Sequence, residues 1–169
     1  MSVEVTYFVN AVVIGVGATL FMDAWALLMK RALSVPLANY CLVGRWLCHM
    51  RGGTFMHASI ATAPRVGSEC IVGWIAHYLI GVAYAVLFVA IVSGGWLAQP
   101  ALLPAVLFGA GSVLVPYLVM QPAFGLGVAA SKAPQPAQAR LRSLMAHTSF
   151  GVGMYACAVA VRYALQVHD

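Results

Sequence analysis

The sequence has few charged residues and is unusually rich in apolar ones. Only 8% of its 169 residues are Asp, Glu, Lys or Arg, and only four of these are acidic. An ordinary soluble domain has roughly 25% charged residues. The hydrophobic share is 63% and the mean hydropathy is +0.91. This composition excludes a soluble globular domain, a disordered chain and a collagen-like fibre, and it indicates a multispan membrane protein.

Several short motifs with known chemistry are also missing. There is no G-x-S-x-G, P-loop or dinucleotide fingerprint, so hydrolase and nucleotide-binding interpretations have no support. The four cysteines form no C-x-x-C pair, and we expect Cys41 and Cys48 to be packing thiols. Residues 1–7 contain no Lys or Arg, so the first apolar stretch is predicted to be a retained transmembrane helix rather than a cleavable signal peptide.

Four apolar stretches reach the length of about 20 residues that a membrane-spanning helix needs. They lie at about 7–29, 70–92, 101–121 and 144–165. They predict an all-α integral membrane protein that forms a single membrane domain over residues 1–169, with four transmembrane helices in a bundle. Two long loops, at about 30–69 and 122–143, connect the first helix to the second and the third to the fourth.

The first loop contains a pattern that predicts one more helix. Apolar and small residues recur there at helical spacing: Leu37, Tyr40, Cys41, Gly44, Leu47 and Cys48. Arg45 and His49 fall on another face, and Gly52-Gly53 ends the pattern. We therefore expect a short amphipathic helix at the cytoplasmic membrane interface.

The basic residues predict the orientation of the chain. Eight of the nine Lys and Arg residues lie in the two long loops, and only Arg162 lies toward the other side. The positive-inside rule then predicts a multi-pass protein with both long loops cytoplasmic and both termini periplasmic. The bilayer accounts for the basic residues, so no nucleic-acid partner is expected.

Polar groups in or beside the predicted spans are the best functional clues. They are Asp23, Glu69, His77, Gln121 and His147. At 1.5 Å per residue, all five lie within roughly 10 Å of the cytoplasmic edge. Polar groups inside a membrane are costly and are candidates for ligand binding or proton relay.

Three of these groups lie on helix faces that also carry glycine. Asp23 follows Gly15 and Thr19 at four-residue steps, His77 lies between Gly73 and Gly81, and His147 precedes Gly151 and Tyr155. Glycine permits close helix packing, so we expect Asp23, His77 and His147 to face inward and meet in one pocket, with Tyr155 as a further candidate. The alternative is that a buried Asp–His pair only fixes helix packing.

Histidine and carboxylate groups can also bind a metal ion or a haem. The histidines that are candidates for such a role are His49, His57, His77 and His147. No H-E-x-x-H or E-x-x-H spacing supports one metal in particular. A metal ion or haem therefore stays open as a cofactor.

Four segments together resemble a known family. They read GVGATLFMDAW at 15–25, GWIAHY at 73–78, MQPAFGLGVAASKAP at 120–134 and HTSFGVGMY at 147–155. They resemble a bacterial four-pass inner-membrane family catalogued as domain of unknown function 2938. The resemblance covers nearly the whole chain and implies a bacterial inner membrane, but it implies no activity.

Three classes of function remain open. The first is binding or transport of a small ligand, ion or proton; four helices are few for transport, which would then require a homo-oligomer. The second is a metal-, haem- or quinone-linked redox protein. The third is an accessory or assembly subunit of a larger membrane complex.

Overall fold

The computed structural model describes residues 3–92 and 95–166, and within these ranges it is helical with no strand. The α-helices are α1 (Val3–Leu33), α2 (Tyr40–Met50), α3 (Glu69–Val92), α4 (Gly95–Ala98), α5 (Leu102–Ser112), α6 (Gln121–Ala123) and α7 (Pro136–Gln166). A π-helical turn at Pro116–Met120 precedes α6, and a 3₁₀ turn at Val128–Ala130 follows it.

Four helical segments are long and apolar enough to cross a membrane: Val5–Leu33, Glu69–Val92, Leu102–Ala123 and Pro136–Ala164. The prediction of four such helices is therefore confirmed, and the chain is a multi-pass membrane protein. The fourth helix begins at Pro136, so residues 137–142, ahead of the predicted span at 144–165, open the same helix, as the sequence indicates. Proline suits this first helical position, where its missing N–H leaves no helical hydrogen bond unmade.

The third span changes its helical pitch at Pro116. Proline has no N–H to donate, and its ring clashes with the carbonyl group four residues earlier. The backbone accommodates it with a single π turn, in which the N–H of Gln121 bonds to the carbonyl oxygen of Pro116.

The chain divides into two compact units. The first, which we call the apolar unit, comprises the described parts of Met1–Val35, Tyr78–Ser112 and Ala146–Asp169. The second, the loop unit, comprises Pro36–His77 and Val113–Met145.

Close contacts between small residues assemble the apolar unit. A Cβ on Gly15 of α1 would lie 2.6 Å from Cα of Val82 in α3, and one on Gly109 of α5 would lie 2.6 Å from Cα of Gly151 in α7. A Cβ on Gly153 of α7 would lie 3.0 Å from Cα of Ala18 in α1. The rings of Phe88 in α3 and Phe108 in α5 contact each other, with centroids 5.1 Å apart. Around these contacts Ile14, Phe88 and Met154 are fully buried and form an apolar centre.

The loop unit is built around α2 and the segments that follow it. Asn39 caps α2, since its side chain accepts a hydrogen bond from the N–H of Cys41 at 3.1 Å. The short helix predicted in the first loop is therefore confirmed, although Leu37 lies ahead of it. A small cluster of Ile60, Ala123 and Phe124 forms the apolar centre of this unit.

Candidate functional site

Arg45 is the most highly connected side chain of the loop unit. Its Nε and Nη2 atoms donate to the two carboxylate oxygens of Glu69, each at 2.8 Å, and the two side chains are only 5% and 10% exposed. Its Nη1 atom donates to three carbonyl oxygens, those of Ile60, Ala61 and Ala63. These hydrogen bonds to Glu69 raise the pKa of the Arg45 guanidinium above its usual value. The sequence places Arg45 on a different face of α2 from the apolar residues, and the structure shows that Arg45 is buried there.

The Arg45–Glu69 pair acts as a clamp. It joins α2 to the start of α3 and holds the backbone of residues 60–63 against both helices. The carboxylate of Glu69 also accepts the N–H of Val66 at 3.0 Å. Glu69, predicted as a ligand-binding candidate, thus already holds three protein donors in this structure.

Beside the clamp, α2 and α3 meet backbone to backbone. A Cβ on Gly44 would overlap the carbonyl oxygen of Glu69, and a Cβ on Gly73 would overlap that of Tyr40. Cys41 and Cys70, whose Cα atoms are 3.9 Å apart at this crossing, form a disulfide. The prediction that Cys41 is a packing thiol is therefore wrong, because the glycine contact brings its sulfur onto that of Cys70. Cys48 is a free thiol.

His77 lies in an aromatic setting within the loop unit. It is buried, and its ring stacks on the ring of Tyr40 with centroids 3.9 Å apart. Trp74 contacts it edge to face at 5.7 Å. The N-terminal turns of α3 thus present His77 to the start of α2.

His49 and His57 form a hydrogen-bonded pair whose proton positions follow from their partners. A carbonyl oxygen can only accept, so Nε2 of His49 donates to the carbonyl oxygen of Pro64 at 3.0 Å. In neutral His49, Nδ1 is then an acceptor, and Nε2 of His57 donates to it at 2.8 Å. When both rings are neutral, Nδ1 of His57 carries a lone pair and no proton. This atom is buried and has no hydrogen-bond partner within the described part of the chain.

Two cavities share His57. The first has a volume of about 400 Å³ and is lined by Cys48, His49, Gly52, Thr54, His57 and Pro64. The second has a volume of about 460 Å³; His57, Gly125, Gly127, Ser131 and Lys132 are among its lining residues. Both cavities are open to the outside of the protein.

Backbone hydrogen bonds fix two walls of the second cavity against each other. The N–H of His57 donates to the carbonyl oxygen of Ala123 at 2.9 Å, and that of Ile60 donates to Phe124 at 3.1 Å. Gly125, at φ +85°, packs directly on the carbonyl oxygen of Ala58, where any side chain would collide with it. These contacts therefore fix the segment that begins at Met120 to the loop that follows α2.

The wall that follows has an unusual backbone. Ala129 and Ala130 adopt φ values of 48° and 54°. This left-handed conformation costs an L-residue roughly 1–2 kcal/mol. Nε of Arg140 donates to the carbonyl oxygen of Ala129 at 2.7 Å and stabilises the turn. Non-glycine residues held in such conformations are concentrated at functional sites.

Gln121 is the second side chain with an unmet hydrogen-bonding group. It is buried, its Nε2 donates to the hydroxyl of Ser143 at 3.3 Å, and no described residue bonds to its Oε1. Gln121, which the sequence singled out by its predicted depth in the membrane, is thus buried. Its Oε1 atom has no hydrogen-bond partner among the described residues.

The remaining predicted site residues belong to the apolar unit. The hydroxyl of Tyr78 donates to Oδ2 of Asp23 at 3.1 Å. Ser112 gives its one proton to the carbonyl oxygen of Gly109, so its Oγ accepts from Nδ1 of His147 at 2.7 Å. Tyr155 packs against the apolar core.

The predicted site residues thus fall into two groups. Asp23, His147 and Tyr155 lie in the apolar unit. The loop unit holds His49, His57, Glu69, His77 and Gln121. The common pocket of Asp23, His77 and His147 stays a prediction. Across residues 3–92 and 95–166, no three His, Cys, Asp or Glu side chains are arranged to hold a metal ion.

A comparison with protein families finds a match for this chain. The family model described as "Protein of unknown function (DUF2938)" matches residues 12–161. The chain belongs to the DUF2938 family. No curated protein and no solved structure matches it. The resemblance seen in the sequence is therefore confirmed, and within this DUF2938 protein residues of the segment 120–134 line the second cavity.

Sequence reasoning missed three residues of the loop unit. Arg45 was passed over because its partner Glu69 lies 24 residues away. Ser131 and Lys132 were quoted only as part of the family segment. The one available signal was Gly125 and Gly127 just ahead of them, since paired glycines indicate a backbone that turns tightly.

Proposed function

We propose that this DUF2938 protein is a bacterial inner-membrane protein that binds a small ligand in its loop unit, on the cytoplasmic side. The observation that carries the proposal is that two cavities of the loop unit share one side chain, His57. Beside them, the buried Nδ1 of His57 has no hydrogen-bond partner among the described residues.

The charge distribution supports a cytoplasmic loop unit. Six of the nine Lys and Arg residues fall in this unit, and Glu69 is its one acidic residue. By the positive-inside rule this bias favours a cytoplasmic loop unit and periplasmic termini.

The Cys41–Cys70 disulfide favours the opposite side, because disulfides persist in oxidising compartments. We give more weight to the charges. The sulfurs meet because Gly44 and Gly73 bring the two backbones into contact, and this contact exists with or without a bond between the sulfurs. The Cα separation of 3.9 Å is shorter than the usual disulfide range of about 4.4–6.8 Å, as expected if the glycine crossing sets it.

Native mass spectrometry tests ligand binding directly. The full chain is purified from bacterial membranes in a mild detergent, as wild type, His57→Gln and Lys30→Gln. Glutamine keeps an amide near Nε2 to bond to His49 and removes Nδ1. Lys30 is an exposed basic residue of the apolar unit and serves as the control.

We expect a bound small molecule on the wild type and on Lys30→Gln, and its loss from His57→Gln. A wild-type protein without any bound molecule contradicts the proposal. So does a His57→Gln protein that retains the molecule at the same occupancy.

A further inference from the structure

We propose that Cys70 and Cys41 are a thiol pair that a hydroperoxide oxidises reversibly, with Cys70 as the cysteine that reacts and Cys41 as the one that resolves it. The disulfide between them is the oxidised form of this pair. The inference concerns a different site of the loop unit and does not depend on the proposed ligand.

The disulfide lies where other contacts already hold α2 against α3. Gly44 and Gly73 bring the two backbones into direct contact, and the salt bridge between Arg45 and Glu69 joins the same two helices. The bond between the sulfurs therefore adds a link that this helix crossing does not need. Disulfides of a reducing compartment, where the charges favour the loop unit, are usually transient and serve in catalysis or redox sensing.

Both sulfurs lie at the start of a helix, where a thiolate is favoured. Cys41 is the second residue of α2, and Cys70 is the second residue of α3. The N-terminal end of a helix carries a partial positive charge that stabilises an anion, and the thiolate is the reactive form of cysteine. The adjacent carboxylate of Glu69 is neutralised by two hydrogen bonds from Arg45, and Arg65 adds a second positive charge near it. The pair therefore lies in the electropositive setting of a reactive cysteine.

Exposure distinguishes the two cysteines. Cys70 is exposed, whereas Cys41 is half-buried. The 24 residues of α3 span about 36 Å, more than a hydrocarbon layer of about 30 Å, so the first turn of α3 reaches the edge of the membrane. A redox-sensing cysteine is accessible, has thiolate character and lies next to a resolving cysteine. Cys70 meets these conditions, with Cys41 in contact as its resolving partner.

The oxidation proceeds in two steps that balance. The thiolate of Cys70 attacks one oxygen of hydrogen peroxide; an S–O bond forms, the O–O bond breaks, and the departing hydroxide takes up the proton that the thiol released. Cys41 then attacks the sulfur of this sulfenic acid; the S–S bond forms, the S–O bond breaks, and the hydroxyl group leaves as water with the proton of Cys41. The two sulfurs lose two electrons and the peroxide gains them, which gives one disulfide and two molecules of water.

Small thiols of the cytoplasm return the pair to its reduced form. One thiol attacks the exposed sulfur of Cys70, forms a mixed disulfide and releases Cys41, which takes up the proton of the attacking thiol. A second thiol attacks the sulfur of the first, releases Cys70 and gives up its own proton to it. Two thiols thus become one small disulfide.

The bond also closes a ring that contains the first cavity. All residues that line this cavity lie between Cys48 and Pro64 in the sequence, inside the ring of residues 41–70. Oxidation therefore ties together the two ends of the segment that builds the cavity.

Oxidation kinetics of the full chain in a mild detergent test the inference. The protein is reduced, freed of reductant and exposed to hydrogen peroxide at neutral pH; samples are then alkylated and analysed by peptide mass spectrometry. Cys48 and Cys157 are free thiols of the same molecule and serve as internal controls. Cys48 is the matched control, because it lies near the C-terminal end of α2. We expect the pair to oxidise roughly tenfold faster than either control, since the thiolate is the form that reacts and a helix N-terminus favours it.

Two variants assign the roles of the cysteines. With dimedone present, Cys41→Ser should accumulate an adduct on Cys70, because the sulfenic acid has no partner with which to condense. Cys70→Ser should form little adduct on Cys41, and the control Cys48→Ser should form the disulfide at the wild-type rate. Equal adducts on Cys41 and Cys70, or more adduct on Cys41, would overturn the assignment.

The wild-type kinetics need no substitution, so they decide the inference even where a variant fails to fold. A pair that oxidises no faster than Cys48 overturns it. A disulfide that excess glutathione leaves intact in the folded protein also overturns it, because such a bond is structural.

Discussion

The two units of this protein use different physical means to hold their segments together. In the apolar unit, small residues such as Gly15, Gly109 and Gly151 let helices touch along their backbones, and dispersion between close atoms stabilises the contacts. In the loop unit, Arg45 and Glu69 hold three segments together by charge-assisted hydrogen bonds. The loop unit also has two cavities and a buried nitrogen without a partner among the described residues.

The largest effect should come from breaking the clamp of the loop unit. Arg45→Met leaves Glu69 as a buried carboxylate without its cation, and Glu69→Gln leaves the guanidinium without its anion. Removal of one partner of a buried pair is strongly destabilising, while apolar replacement of both partners is much milder. Thermal unfolding in detergent should therefore show larger losses for each single variant than for Arg45→Met combined with Glu69→Leu. Additive losses in the double variant would show that the pair does not act as a unit.

The next largest effect should come from the helix crossing beside the clamp. In Gly73→Ala the new methyl group would overlap the carbonyl oxygen of Tyr40, so α2 and α3 must separate. Overpacking costs about 1–3 kcal/mol, and a backbone obstacle places this variant near the upper end. Gly67→Ala is the matched control, because nothing lies within 4 Å of its Cβ. The midpoint temperature of thermal unfolding is measured for both variants. Equal midpoints would show that the close contact at the helix crossing does not limit stability.

A smaller loss of stability is expected from a glycine-to-alanine change at a helix contact of the apolar unit. The methyl group of Gly109→Ala would lie 2.6 Å from Cα of Gly151, and the two helices can shift apart in lipid. We expect a cost of about 1–2 kcal/mol in the free energy of unfolding. Gly111→Ala, on the same helix with open space around its Cβ, should be neutral. If Gly111→Ala is as damaging as Gly109→Ala, the close contact with Gly151 is not the cause of the loss.

The sequence predicts the apolar unit better than the loop unit. The apolar spans follow from local composition, because each helix must be apolar along its own length to cross lipid. The burial of Arg45 depends on Glu69, and the position of Cys41 depends on Cys70, which is 29 residues away. Such pairings leave no periodic trace in one sequence. His49 and His57 were identified by residue type, but the carbonyl oxygen of Pro64 that fixes their protons was not predictable.

The smallest effect on stability is expected from a change at Cys41 or Cys70. The redox state of these two cysteines reports on which side of the membrane the loop unit lies. If the loop unit faces the cytoplasm, the reducing thiols of that compartment open the Cys41–Cys70 disulfide in the cell. Rapid alkylation of intact cells with a membrane-permeant reagent, followed by mass spectrometry, should then label both thiols without prior reduction. Cys41→Ser should leave the amount of folded protein unchanged. Labelling that requires a reductant would place the loop unit in the periplasm and reverse the proposed topology.

Hydrogen–deuterium exchange of the wild type, as purified from membranes with any retained molecule, and of His57→Gln tests most directly whether the ligand site lies in the loop unit. Both full chains are compared in the same detergent, with Lys30→Gln as the control. We expect slower exchange in the wild type at the cavity segments, residues 49–64 and 122–133, and unchanged exchange in the apolar unit. Protection confined to the apolar unit, or no change in either unit, would contradict the account.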